Sequence, residues 1–291
     1  MTGPILIETL LNGLITGSIY ALIGSGIALI YGTTRVLNFA HGEMMMLAAY
    51  IVLILFTSVG LPLSVAALGA ILLVMVAGIA MQRLVIAPML SKDDWSFRVI
   101  AATIGLSIFL QSAAQLIWGE GFNALPYFFD GVLVLGEVRM PWQRIMILVV
   151  ALIALGLSAL LLYRTRFGQM IRATAQDAEA AEAFGIPAGR VHTMVFALSA
   201  GLAGIGAIML APLLSVNPWM GAPYILKAFA VVILGGLGSF GGAIVAGFLL
   251  GIIESFGVAF TSSEWRDVIS FALLIAVIWV RPYGLFSTRE G

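Results

Sequence analysis

Cysteine is absent from the 291-residue chain, which excludes disulfides, thiolate metal sites and cysteine nucleophiles. Histidine occurs only twice, too few for a histidine-rich metal site. Charge is scarce: Asp, Glu, Lys and Arg make up 10% of residues, against about 25% in ordinary soluble domains. The 14 basic and 14 acidic side chains cancel, so no net field recruits nucleic acid. Catalytic motifs are missing too. No Gly-x-x-x-x-Gly-Lys-Ser/Thr loop cradles a nucleotide and no His-Glu-x-x-His pair holds zinc. Neither Gly24-Ser25-Gly26 nor Gly238-Ser239-Phe240-Gly241 fits a Gly-x-Ser-x-Gly nucleophile elbow. A chain without its own ATP site must borrow energy, and an intramembrane enzyme is disfavoured.

What remains is apolar. Hydrophobic residues are 62% of the chain and mean hydropathy is +1.11. Sixty-two per cent of 291 residues is about 180, which at about 20 residues per membrane helix is material for roughly nine spans. Apolar runs are read at 10–30, 38–57, 61–82, 98–117, 142–163, 192–214, 242–259 and 267–284, with a shorter one at 223–237. In hydrocarbon the backbone must satisfy itself, and no strand alternation is visible, so these are helices. The predicted fold is an all-α polytopic membrane protein of about 8–9 transmembrane helices with broken segments, residues 1–291 forming one transmembrane domain.

Lys and Arg placement predicts orientation. With loop 164–191 cytoplasmic, ten basic residues face inward: Arg35, Arg83, Lys92, Arg98, Arg164, Arg166, Arg172, Arg190, Arg281 and Arg289. Four face outward: Arg139, Arg144, Lys227 and Arg266. The N-terminus is then outside and the C-terminus cytoplasmic. That needs an odd number of crossings, so 223–237 is expected to cross or nearly cross. One long tilted helix or a re-entrant pair over 223–259 is the alternative. Met1–Leu11 carries no basic residue and does not read as a secretory signal. The hydrophilic segments are an outer loop, 118–141, and the inner loop 164–191, the longest charged stretch. The inner loop reads either as a docking surface or as a connector.

Within that loop, Gln169 to Phe184 is rich in strong helix formers. Gly168 precedes the run, and Gly185 followed by Pro187 stops it. Met170, Ala173, Asp177, Ala180, Ala181 and Phe184 recur at three- and four-residue steps, giving one small, mostly apolar face. Such a helix with an exposed Ala/Phe ridge suits insertion into a groove on another protein.

Glu179-Ala180-Ala181, followed after three residues by Gly185, resembles the EAA loop of bacterial ABC importer permeases. Arg164-Thr165 with Gly168 and Arg172-Ala173, then Gly185-Ile186, Phe196 and Ala203-Gly204, resembles more narrowly the branched-chain amino-acid (LivH-type) permease family. So do Gly32 with Asn38-Phe39-Ala40-His41-Gly42-Glu43, and Val232 to Gly242 with its Gly235-Gly236-Leu237-Gly238-Ser239-Phe240-Gly241 core. The resemblance covers essentially the whole chain. Ala197-Leu198 stands where the wider EAA pattern has Leu-Pro, which marks a variant branch.

The resemblance implies a permease subunit of a bacterial inner membrane, moving branched-chain or similar apolar amino acids. Arg164, Gly168, Arg172, Ala173, Glu179, Ala180, Ala181, Phe184 and Gly185 would form the coupling helix seated in an ATPase cleft. The implied partners are two ABC ATPase subunits, a second related permease (commonly a heterodimer, with a homodimer also compatible) and a periplasmic or extracellular substrate-binding protein. ATP is used by those partners, and no cofactor or metal is bound directly.

Candidates for the translocation path or gate are Asn38, His41, Gly42 and Glu43, with Gly235, Gly236 and Gly238. Ionisable groups in a membrane cost about 2.5–3.5 kcal/mol on insertion scales, so they face a cavity or a partner. Asn38 to Glu43 therefore reads as a pathway element, or as an interfacial cap with Asn38 as N-cap and Glu43 in the first turn. Gly235, Gly236, Gly238, Gly241 and Gly242 break a helix, either as a tight turn or as an unwound segment paired with 38–43. Met44, Met45 and Met46 read as packing. Glu254 has no Lys or Arg within a helical turn; it is expected to face the bundle or a partner, or to be a protonated structural carboxyl. Lys227 is expected to snorkel near an outer end. Gly201, Gly204 and Gly206 suggest close helix packing. The competing function is an ion-coupled secondary carrier or channel for a small polar solute such as an amide or urea, with Glu43 or Glu254 as coupling site; it leaves the EAA-like loop unexplained.

Overall fold

A computed structural model describes residues 3–90 and 95–286. Lys92 and Arg289, counted above toward the inner face, lie outside these residues. In chain order the helices are α1 (Gly3–Thr34), α2 (His41–Thr57), α3 (Leu63–Met81), a π-helical turn at Gln82–Ile86, α4 (Ala87–Leu90), α5 (Trp95–Trp118), α6 (Trp142–Arg164), α7 (Arg166–Gln176), α8 (Ala178–Ala183), α9 (Ala188–Leu210), α10 (Ala222–Gly235), α11 (Phe240–Phe260) and α12 (Arg266–Val280). Every apolar run of the sequence becomes a helix. Among the described residues, six helical stretches are long and apolar enough to cross a membrane. The all-α expectation needs one correction: strands β1 (Val132–Leu135) and β2 (Val138–Pro141) pair antiparallel in segment 118–141. Gly136, at φ 64°, turns the chain between them.

Helix α1 is the axis. Its most apolar stretch is 89% buried, and it packs against α6, α9, α10 and α11. A helix apolar on all sides belongs inside a bundle. The closest approach is to α11, where Gly13 and Gly17 face Gly247 and Gly251. A Cβ at Gly251 would lie 2.3 Å from the Gly17 nitrogen, and one at Gly17 2.8 Å from the Phe248 Cα. Both helices thus carry a Gly-x-x-x-Gly pair, and the two pairs meet backbone to backbone. On α9, Gly204 sits against Val74 of α3 and Gly201 against Met75. Met44, Met45 and Met46 are core, all fully buried.

Two helices start inside the bundle. Helix α2 runs alongside α9: a Cβ at Gly26 would lie 2.8 Å from Ser199 Oγ and 3.2 Å from His41 Nε2, and Ala48 lies beside Gly204. His41 thus sits about 12 Å short of the C-terminal end of α1, eight residues on at 1.5 Å each. Residues 35–40 climb back to this depth as irregular backbone, with Val36, Asn38 and Ala40 buried. Helix α10 runs parallel to α1, with Tyr20 beside Tyr224 (ring centroids 6.5 Å apart), Gly24 beside Val231 and Gly32 beside Gly238. Its 14 residues span about 21 Å, less than the hydrocarbon core. Segment 211–221 leads to it from the opposite end, where Asn123 and Val216 exchange backbone hydrogen bonds of 3.0 and 2.8 Å. The lead-ins meet at Gly42 and Gly221: a Cβ at Gly221 would lie 2.1 Å from the Gly42 carbonyl oxygen.

The interrupted pair is therefore 35–40 with 211–221, not 38–43 with 235–242. The later glycines form a turn, Gly236 to Ser239, with Gly236 at φ 101° and Gly238 at φ 84°. The N-cap of α2 is Ala40 rather than Asn38. Asn38 instead closes an Asx turn, its Oδ1 accepting from the Ala40 N–H at 3.1 Å.

Gly251→Ala must force α1 and α11 apart, an overpacking cost of about 1–3 kcal/mol. Gly105→Ala on α5, where nothing lies within 4 Å, should cost nothing. Unfolding midpoints of the purified proteins in detergent should separate the two; equal midpoints would count against the packing described.

Candidate functional site

The loop 164–191 folds into an elbow. Thr165 caps α7, its Oγ1 accepting from the Gly168 N–H at 3.1 Å while donating to the Leu161 carbonyl at 2.6 Å. Gly168 is required by proximity: any Cβ there would strike the backbone of Leu161 and Leu162. Arg172 donates to the Leu162 carbonyl, an otherwise orphaned acceptor at the end of α6, and its guanidinium lies 5.9 Å from the Tyr163 ring centroid.

The expected single helix over 169–184 is broken at Asp177. That residue is extended (φ −155°, ψ 112°), and its side chain accepts from the Ala180 N–H at 3.0 Å. An aspartate offering its carboxylate to backbone N–H groups starts a new helix rather than continuing the old one. Helix α8 ends in a Schellman motif: the Gly185 N–H donates to Glu182 and the Ile186 N–H to Ala181, at 2.9 and 3.0 Å. Gly185 takes φ 86°, which only glycine adopts readily.

The expected Ala/Phe ridge is half right. Ala181 is buried, and Met170 and Ala173 are half-buried; Arg164, Glu179, Ala180 and Phe184 are exposed. Phe184 is 88% exposed. Two ties join the elbow's end of the molecule to α1. Arg35 Nη2 donates to the Ala175 carbonyl at 3.1 Å, and His192 Nε2 pairs with the Thr33 carbonyl at 3.2 Å. Arg35 holds a left-handed φ of 56° to make its turn, a conformation costing a non-glycine residue roughly 1–2 kcal/mol.

The path candidates are buried. Glu43 Oε1 accepts from Ser107 Oγ (2.9 Å) and Gln111 Nε2 (2.8 Å), both on α5. Asn38 Nδ2 lies 3.7 Å from Met81 Sδ. Among the described residues, His41 has no hydrogen-bond partner at either ring nitrogen, nor has the nearby Ser199 hydroxyl. Gly235 packs on the Gly242 backbone and Gly238 on Gly32. Asn38, His41, Gly42 and Glu43 line neither of the two cavities described next; Glu43 acts here as a tether of α5 to α2.

Those cavities lie toward the 118–141 end. One, of about 400 Å³, is a cleft lined mainly by α1, α6 and α11, with Leu210, Tyr224 and Arg266; its neighbour, of about 580 Å³, lies at the start of α10. Tyr20, Tyr224 and Arg266 line both. Beneath them is a charge network. Glu254 Oε2 accepts from Lys227 Nζ at 2.9 Å and Ser270 Oγ at 2.7 Å, and Oε1 from Tyr20 at 2.9 Å. Arg266 Nε stands 3.4 Å from Oε1, and Lys227 also reaches Asp267 at 2.8 Å. Lys227 thus does not snorkel: it is 5% exposed and Glu254 2%. Glu254 does face the bundle, as one of the readings held, with Lys227 as its charged partner. Both charges were visible inside apolar runs, but nothing local in the sequence pairs residues on different helices.

Removing one member of a buried pair costs up to about 3–5 kcal/mol, here reduced by the exposed Asp267 and Arg266 that remain beside the other charge. Lys227→Met and Glu254→Gln should each lower the unfolding midpoint strongly. Lys227→Met combined with Glu254→Gln should cost clearly less than the sum of the two. Additive single and double effects, measured by denaturation in detergent, would contradict the coupling.

Residues 9–278 match the family described as "Branched-chain amino acid transport system / permease component". The chain is 34% identical to the high-affinity branched-chain amino acid transport system permease protein BraD of Pseudomonas aeruginosa, over 98% of this chain and 96% of that one. It is 35% identical, with the same coverage, to the corresponding permease protein LivH of Escherichia coli. A more distant relative is the autoinducer 2 import system permease protein LsrD of Salmonella paratyphi B, 25% identical over 86% of this chain and 76% of that one. An apolar bundle with an EAA-like elbow and a match over nearly its whole length place this chain in the family of branched-chain amino-acid transport permeases, as a multi-pass membrane subunit rather than an enzyme.

Proposed function

We propose that the chain is one membrane-spanning half of an ABC importer for branched-chain or similarly apolar amino acids. Two ATPase subunits dock on the elbow, a related permease completes the path, and a binding protein delivers substrate to the 118–141 end. Residues 1–291 serve as one transmembrane domain, and ATP is used by the partners. The observation that carries this reading is the elbow itself. Helix α8 is capped at both ends and ends on a solvent-exposed phenylalanine, and the adjoining α7 is tied to the end of α1 by the Arg35–Ala175 hydrogen bond. A solvated aromatic on a rigid knob is the form of an anchor for a partner's groove.

Arg164, Glu179, Ala180 and Phe184 would meet the ATPase. Gly168, Arg172, Ala173, Ala181 and Gly185 shape the elbow. Closure of the ATPase dimer pushes α7, and Arg35 carries the push to the end of α1. Asn38, His41, Gly42 and Glu43 with Gly235, Gly236 and Gly238 then act as the gate frame, the places where short helices begin or turn inside the bundle.

Nine crossings are proposed, α2 and α10 each completed by an irregular lead-in, with the N-terminus outside and the C-terminus cytoplasmic. The alternation of helix directions supports this, as does the gathering of Arg35, Arg83, Arg190 and Arg281 at the elbow's end of the bundle. In the carrier alternative Glu254 would be the coupling carboxylate, yet Lys227 already supplies its charge partner inside the chain, at 2.9 Å, and that reading gives the elbow no role.

Phe184→Asp should leave the chain inserted, lower ATP-driven leucine uptake by at least tenfold in proteoliposomes of the reconstituted system, and abolish copurification of the ATPases. Leucine accumulation without any ATPase would overturn the importer reading. Transport of another solute but not leucine would remove the substrate.

A further inference from the structure

The cavity between α1, α6 and α11 carries charge that the folded chain does not neutralise. Arg144, in the first turn of α6, lines it half-buried. Its one side-chain partner is neutral: Nη1 donates to Asn12 Oδ1 at 2.7 Å. Among the described residues no carboxylate comes within ion-pairing distance of Arg144, whereas Lys227 and Arg266 both have one. A guanidinium removed from bulk water without a counter-charge favours an anion, and its planar fork of donors matches a carboxylate. Glu254 lines the same cavity; its Oε1 has one short hydrogen bond, from Tyr20, and one long contact, of 3.4 Å, to the exposed Arg266. The walls between are Ile15, Ile19, Ile147, Leu210 and Val258. A volume of about 400 Å³ falls within the roughly 300–1,000 Å³ of small-ligand clefts.

We infer that this cavity is a binding site for a free α-amino acid with an apolar side chain. Arg144 holds the carboxylate, Glu254 Oε1 takes the ammonium, and the aliphatic wall takes the side chain. The inference rests on the importer reading and deepens it: the permease itself recognises the zwitterion after the binding protein releases it. Asn12 is a positioning residue that aims the guanidinium. Tyr20 and Tyr224 divide the site from the neighbouring cavity, so a ligand between them contacts α1, the helix that Arg35 ties to the elbow.

The test uses the complete transporter in lipid nanodiscs, without binding protein and without ATP, with tritiated leucine as probe. Wild type should bind leucine saturably. Leucinamide, which lacks the carboxylate, should compete at least tenfold more weakly than leucine; 4-methylpentanoate, which lacks the ammonium, should fall between them. Arg144→Gln should weaken binding at least tenfold and Arg144→Lys less. The leucinamide comparison is made on wild type, so misfolding of a variant does not decide the outcome. Leucinamide equal to leucine, chloride competing as well as leucine, or no leucine retained by a complex that transports it once ATP and binding protein are added would overturn the site and leave the importer reading standing. A wild-type complex that transports nothing under those conditions would overturn the reading beneath it.

Discussion

A peptide group can lie unpaired by helix or sheet inside a membrane only if protein surrounds it. Most of this architecture follows from that constraint. Residues 35–40 and 211–221 run as irregular backbone within the bundle, and each delivers a helix that begins far from the ends of its neighbours. The first is tolerated because its Val36, Asn38 and Ala40 are buried in protein, the second because Val216 pairs with Asn123, and Gly42 and Gly221 let the two helix starts touch. The glycine contacts of α1 with α11 serve the same end, since a bundle held at backbone contact leaves no lipid-sized gaps. Small residues at helix contacts are thus the condition for having broken helices at all, not decoration on a hydrophobic core.

The second consequence is electrostatic. A short helix that starts inside the bundle has too little length to be held by packing alone. Lys227, one and a half turns into α10, is clamped by Glu254 of α11 and reaches Asp267 of α12. Removing two charges from water is expensive, and apolar residues of similar shape often do as well for stability. Retaining the ion pair where an apolar contact would suffice fixes the register of α10 against two neighbours. It also places a carboxylate at the floor of a cavity, which apolar packing could not do.

Much of this was legible in the sequence. Hydropathy located every long helix, and the shorter run at 223–237 was a real helix with the ends expected of it. The docking loop was marked by helix formers between Gly168 and Gly185. What escaped has common physical causes. The break at Asp177 depends on one side chain choosing a backbone donor over solvent, a competition that propensity averages out. Asn38 looked like a cap because the irregular stretch ends near it, but its carboxamide closes the turn just before the helix. The hairpin at 132–141 is short, and its alternation is lost among apolar neighbours. Lys227 with Glu254, and Arg144 with its cavity, are tertiary facts. The residues are conspicuous as charges in grease, but which of them meet is decided by how α1, α6, α10 and α11 pack.

Helix α1 is what joins the ends. At one terminus Thr33 and Arg35 are tied to the elbow and to α9. Toward the other, Asn12 holds Arg144 and Tyr20 holds Glu254. Its 32 residues make a rod of about 48 Å, stiff from Gly13 on, where nearly every residue is buried. A push of an ångström at Arg35 therefore cannot be absorbed locally and must appear as a shift or tilt at Asn12 and Tyr20. Those contacts are hydrogen bonds of 2.7 and 2.9 Å, and such bonds weaken steeply with small changes in angle and length. On the proposed reading, the elbow thus governs how Arg144 and Glu254 present themselves to the cavity. Because α1 also supplies Ile15 and Ile19 to the cavity wall, the same shift that spoils those two hydrogen-bond geometries reshapes the site, and tight binding before the stroke gives way to release after it.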